Sequence, residues 1–256
     1  MMNKEILKLD RRLLKEKRKK EFKELQEDNF YKELMNNEKK ALIWELNAPP
    51  KRSVLEEIGN AITHGVGVLC GIVLLILMLL KSESPLEAIA STVYGGCLII
   101  MMLMSTLYHA FKSDSMVKRI FRRFDYSSIY LLIGGTFAPL FLVYLGNQMG
   151  IILFIIQWAL IIFGISFVCI FGPGRFKWIH FTLYFVLGWS GGIIFAPLWI
   201  QNDMSLFLWI LGGGLAYTLG MIPFALKNLN AAHFVWHFFV LAGAIIQWVG
   251  IYLFVF

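Results

Sequence analysis

Few side chains in this sequence can do chemistry, and the five histidines, His64, His109, His180, His233 and His237, are foremost among them. In His233-Phe-Val-Trp-His237 two imidazoles stand four residues apart. On a helix that spacing leaves them about 40° apart and about 6 Å along the axis, so both can face one metal ion. The same spacing relates Ser105 to His109. Three imidazoles with water in the fourth position make an open zinc geometry, and neutral imidazole suits zinc better than calcium or magnesium. His109 is the candidate third ligand, and Asp125 the group that orients the water or accepts its proton, which zinc makes labile by lowering the water's pKa to about 7. The pair lacks the glutamate of H-E-x-x-H, so the soluble zincin mechanism does not apply. His180, beside Arg175, Lys177 and Trp178, reads as an interfacial anchor. His64, with Asn60 and Glu57 on the preceding turns, reads as a structural polar contact near the site and not as a fourth ligand.

These residues must be positioned by membrane helices. Of the 256 residues 58% are hydrophobic and only 16% charged, too apolar for a soluble domain of this size. Seven segments reach the roughly 20 residues needed to span a bilayer, about 60–80, 86–111, 126–146, 149–171, 178–200, 205–225 and 231–256. Basic residues alternate between the connections: the N-terminal region and the even-numbered loops hold 23 Lys and Arg, the odd-numbered loops one. The positive-inside rule then gives an all-α membrane protein, a seven-transmembrane-helix bundle with the N-terminus cytoplasmic and the C-terminus outside. That is the opposite orientation to a G-protein-coupled receptor. All five histidines and Asp125 fall near the inner ends of their spans, and ionisable groups gathered at one membrane depth mark a functional site by default.

The chain divides into a charged cytoplasmic helical tail, 1–52, and a seven-span domain, 53–256. The tail holds 15 of the 24 Lys and Arg, so the net charge of +7 does not describe a basic globule, which argues against a nucleic-acid partner. From Arg11 to Lys23 eight basic residues face two acidic ones, a composition that suits anionic lipid. Residues 4–46 read as one or two helices ended by Ala48-Pro49-Pro50, and Ser53-Val-Leu-Glu56 has capping-box spacing that starts the next helix. No signal-peptide pattern opens the sequence, so the first span is expected to act as the membrane signal. Pro139 and Pro197 should kink their spans, and the pairs Gly67/Gly71 and Gly188/Gly192 have the spacing of close helix contacts. Cys70, Cys97 and Cys169 sit in apolar runs without paired spacing and read as inert packing thiols.

Four ordered motifs, Glu57-Ile-Gly-Asn60-Ala-Ile-Thr63-His64, Ser105-Thr-Leu-Tyr-His109, Phe124-Asp125-Tyr126-Ser127-Ser128-Ile129 and His233-Phe-Val-Trp-His237, closely resemble the hemolysin III family, the bacterial branch of the progestin and adipoQ receptor superfamily. The resemblance covers about residues 54–256. It implies that His109, His233 and His237 are zinc ligands, that Asp125 contacts the metal-bound water and that Ser105 lies nearby. Relatives of that superfamily, the adiponectin receptors and the similar alkaline ceramidases, imply zinc-dependent hydrolysis of a lipid amide, and bacterial members imply a role in membrane-lipid homeostasis at the inner membrane. The long charged tail departs from many bacterial members, as does Gln247 where many carry a histidine. The expected function is therefore a zinc-dependent lipid amide or ester hydrolase acting on membrane lipids. The alternatives are a hemolysin-like pore or cytolysin, which the apolar spans support poorly, and a non-catalytic sensor of membrane state.

Overall fold

The computed structural model describes residues 12–21, 23–24, 29–191, 204–225 and 231–256, and among these it is helical without strands. It forms two compact units, Met1–Asn47 and Ala48–Phe256. In the first, residues 12–21 are helical and a tail helix runs Asn29–Leu46, closed by Asn47, whose Nδ2 donates to the Ile43 carbonyl at 3.0 Å.

The second unit contains α1 (Val54–Lys81), α2 (Pro85–Ala110), α3 (Met116–Pro139), α4 (Gln148–Phe171), α5 (Lys177–Gly188), α6 (Met204–Ala225) and α7 (Ala232–Phe254). Short polar residues start the first four. Ser53, Ser84 and Ser115 accept from the amides of Glu56, Glu87 and Lys118, and Asn147 accepts from that of Gly150, satisfying donors that a helix start leaves free. Helix α3 begins ten residues earlier than its apolar run, because Ser115 caps it and its first turns bury Lys118 and Arg122. At Pro139 the span does not simply kink. Proline offers no N–H and its ring crowds the preceding turn, so the helix widens into a π-turn, Leu140–Leu145, ending at Gly146 with a left-handed φ of 53°. Pro197, Gly192 and the outer part of the 178–200 segment lie outside the described residues.

Among the described residues six helices are long and apolar enough to cross a membrane: Val54–Lys81, Pro85–Ala110, Met116–Leu145, Gln148–Phe171, Met204–Pro223 and Ala232–Phe254. The chain is a multi-pass membrane protein. Of these, α3 is the most enclosed, with 61% of its apolar window buried against 22% for α4 and α6. It therefore runs through the bundle while α4 and α6 face outward. Tyr94, Met101 and Met102 of α2 meet Phe137 of α3, its continuation Phe141, and Trp248 and Ile251 of α7 in one core.

Small residues let these helices approach. A Cβ at Gly67 would lie 2.6 Å from Met102 Sδ, and one at Gly71 3.0 Å from Ile99 Cγ1, so both glycines seat α1 on α2. At Gly188 no described residue lies within 4 Å of an added Cβ, and the residue borders a cavity. Of the cysteines only Cys97 is buried, whereas Cys169 is exposed. Cys97 packs on Gly135, where an added Cβ would fall 2.6 Å from its Cβ and 3.3 Å from the Val93 carbonyl. Neither neighbour can rotate away, so Gly135→Ala should destabilise the bundle by about 1–3 kcal/mol, read as a lowered Tm in detergent. An unchanged Tm would show that α2 and α3 are not packed this closely.

Candidate metal centre

His109 occupies the last turn of α2, and His233 and His237 the first turns of α7, so the end of one helix meets the start of the other. Their ring centroids are 4.8–5.1 Å apart, and His233 Nε2 lies 3.2 Å from His109 Nε2. One ligand nitrogen from each of the three lies within 4.8 Å of the others, a cluster that can hold a metal ion. His109 and His237 are buried to 2% and 1% exposure, which removes competing water from the nitrogens.

The cluster is braced from α1 and α3. Glu57 Oε2 lies 2.6 Å from His109 Nδ1, while Glu57 Oε1 lies 3.1 Å from Nζ of Lys118. Lys118 is fully buried and also donates to the Phe111 carbonyl at 3.0 Å. Asn60 Nδ2 approaches the same His109 nitrogen at 3.4 Å. A carboxylate on Nδ1 holds that nitrogen protonated and leaves Nε2, the one facing His233, with its lone pair free for a ligand. His64 is outside the cluster of three and stacks on His237, centroids 3.7 Å apart and planes 16° from parallel. Ser105, one turn before His109, neighbours the Asp125 side chain. Both border a cavity of about 160 Å³ that also touches His64, His233 and His237.

His180 is not an interfacial anchor. It is fully buried, its Nδ1 3.1 Å from the Tyr130 hydroxyl, while its neighbour Trp178 remains 69% exposed. Two helical residues apart they face different ways, and Tyr130 supplies the polar partner that lets the imidazole turn inward. Lys118 and Arg122 were legible only as loop charges. In the structure Arg122 donates from Nη1 to the Ala48 carbonyl at 2.9 Å, and both are buried. The signal was present in the spacing Lys118, Arg122, Asp125, which puts all three on one helical face. Arg52, whose Nη1 lies 3.4 Å from the Tyr108 hydroxyl, was likewise missed.

Fold and site together define a multi-pass helical membrane protein with three histidines gathered at one end of its bundle. The chain belongs to the Haemolysin-III related family, whose profile matches residues 52–248. It is 38% identical over 194 residues to Hemolysin-3 of Bacillus cereus, covering 75% of this chain and 88% of that one. It is 36% identical over 195 residues to the Hemolysin-3 homolog of Bacillus subtilis (strain 168), covering 75% and 91%. A more distant match is the human monocyte to macrophage differentiation factor, 26% identical over 230 residues, covering 88% and 92%.

Proposed function

We propose that the protein is a zinc-dependent hydrolase of a lipid amide or ester, working in membrane-lipid homeostasis. The observation that carries this reading is the three-histidine cluster at one end of an apolar cavity with Asp125 beside it. Zinc suits the donor set: three imidazoles leave a fourth tetrahedral position open, and bonds of about 2.0–2.1 Å set neighbouring nitrogens about 3.3 Å apart, against 3.2 Å between His109 and His233 and a spread of up to 4.8 Å over all three ligand atoms. His109, His233 and His237 would hold the ion. When bound it supplies a Lewis acid and a nucleophile at neutral pH.

The chain's own residues do the rest. Asp125, beside Ser105, takes the proton of the attacking water and returns it to the leaving nitrogen or oxygen. Ile129, Leu132, Ile133 and Phe137 of α3, with Phe181 and Phe185 of α5, line the cavity and exclude bulk water from an acyl chain. The charge count orients the bundle with the tail and the histidines at the cytoplasmic side of a bacterial inner membrane, residues 1–52 forming a tail that meets anionic lipid and 53–256 the catalytic domain.

Zinc-loaded protein in nanodiscs should release fatty acid from N-acyl or O-acyl lipids, measured by mass spectrometry. Asp125→Ala should lower turnover by about 10²–10⁴-fold, the usual worth of general acid–base catalysis, with zinc retained. Turnover unchanged in zinc-free protein would sink the reading. A second reading, a non-catalytic sensor in which the metal only braces helices, draws support from the way Glu57 and Lys118 tie α1 and α3 to the cluster. Under it, ligand substitutions lower Tm and no lipid product forms.

A further inference from the structure

The cavity has a second polar region, far from the histidines, that hydrolysis does not use. Thr136 of α3, Tyr217 of α6 and Gln247 of α7 border it there. Eleven residues separate Asp125 from Thr136 and ten separate His237 from Gln247. At 1.5 Å per residue, both helices put this region roughly 15 Å beyond the histidines. That distance is about half the 30 Å hydrocarbon core, where an unpaired polar group is costly.

Some of these groups are already satisfied. Thr136 Oγ1 donates to the Leu132 carbonyl at 2.9 Å, Gln247 Nε2 to the Ile210 carbonyl at 3.3 Å, and Tyr94 Oη to the Ala244 carbonyl at 3.4 Å. Tyr217 differs. Its hydroxyl is buried with no hydrogen-bond partner among the described residues. Its ring is fixed by Gly243, where a Cβ would come within 2.9 Å of Cε1, so the hydroxyl cannot swing elsewhere without losing that packing. The region thus offers a donor at Tyr217 and acceptor capacity on Thr136 Oγ1 and on the amide oxygen of Gln247. A hydroxyl group, donor and acceptor in one, complements that set.

We propose that Thr136, Tyr217 and Gln247 form a binding subsite for a hydroxyl carried on the tail half of an acyl chain whose head lies at the histidine cluster. The proposal rests on the lipid reading of the cavity and narrows its ligands to hydroxylated chains. A plain chain leaves Tyr217 unpaired, and one buried hydrogen bond amounts to about a five- to tenfold difference in affinity.

The test is displacement of a fluorescent fatty acid from the full-length protein in nanodiscs by stearic acid, by stearic acid hydroxylated in its tail half, and by stearic acid hydroxylated next to the carboxyl. Wild type should bind the tail-hydroxylated acid about five- to tenfold more tightly than the other two. Tyr217→Phe, which keeps the ring, and Gln247→Leu should erase that preference while plain stearic acid binds as before, which shows that the variants are folded. Gly188→Phe, filling open space in the cavity, should weaken all three acids alike. Equal affinity of wild type for plain and tail-hydroxylated acids, as when only water satisfies Tyr217, overturns the subsite and leaves the lipid cavity standing. Failure of every acid to bind, or binding indifferent to Gly188→Phe, overturns both.

Discussion

His237→Ala should purify without bound zinc, whereas wild type prepared in zinc-supplemented medium should carry about one ion per chain. The residue is 1% exposed and lies in contact with both other histidines, so its loss removes one of three nitrogens gathered in a buried cluster. If three imidazoles share a binding free energy on the order of 10 kcal/mol, losing one costs about 3 kcal/mol, roughly a hundredfold in affinity. Elemental analysis after dialysis reads the loss directly. A zinc titration followed by thermal shift gives the same answer, since a ligand that binds only the folded state raises Tm with concentration. His64→Phe is the control. It preserves the ring stacked on His237 and removes nitrogens that lie outside the cluster, so its zinc content should match wild type. Zinc retained in His237→Ala at wild-type affinity, or wild type free of metal after zinc loading, would refute the proposed centre.

Glu57 is expected to affect metal affinity and stability separately. Its carboxylate serves two buried partners at once, His109 Nδ1 at 2.6 Å and Lys118 Nζ at 3.1 Å. Truncating it in Glu57→Ala leaves the Lys118 ammonium buried without a counter-charge, which typically costs about 3–5 kcal/mol. Loss of the carboxylate that orients a metal-binding histidine typically costs about ten- to hundredfold in metal affinity. The double variant Glu57→Leu/Lys118→Met separates the two. Replacing a buried ion pair by apolar groups of similar size is about neutral for stability, so Tm should recover while zinc affinity stays low. Recovery of both would mean that Glu57 acts on His109 only through the fold. Recovery of neither would mean that the apolar pair does not fit the space.

Much of the architecture was readable from hydrophobic run lengths, because a bilayer accepts only segments that satisfy their own backbone and are apolar over about 20 residues. The runs beginning near residues 60, 86, 126, 149, 205 and 231 each correspond to a described helix long enough to cross. The spacing of His233 and His237 put both on one helical face, and Ser53 caps α1 as its motif predicts. The same reading misjudged the sides of other residues. Lys118 and Arg122 looked like loop charges because charge in a connection normally faces water. Here each is buried and finds a partner, Glu57 on α1 for Lys118 and the Ala48 carbonyl for Arg122. His180 looked interfacial because its sequence neighbours are, yet Tyr130, fifty residues earlier, draws it inward.

The sequence by itself therefore determined a helical membrane protein, the positions of its long apolar segments, and a histidine pair able to share a ligand, since each follows from the local chain and from the medium around it. Only the tertiary structure decided that His109 meets that pair, that Glu57 and Lys118 brace it, and that Thr136, Tyr217 and Gln247 share a cavity with Asp125. Those relations join residues far apart along the chain through helix packing, in which the side chain at each contact depends on its partner as much as on its own neighbours.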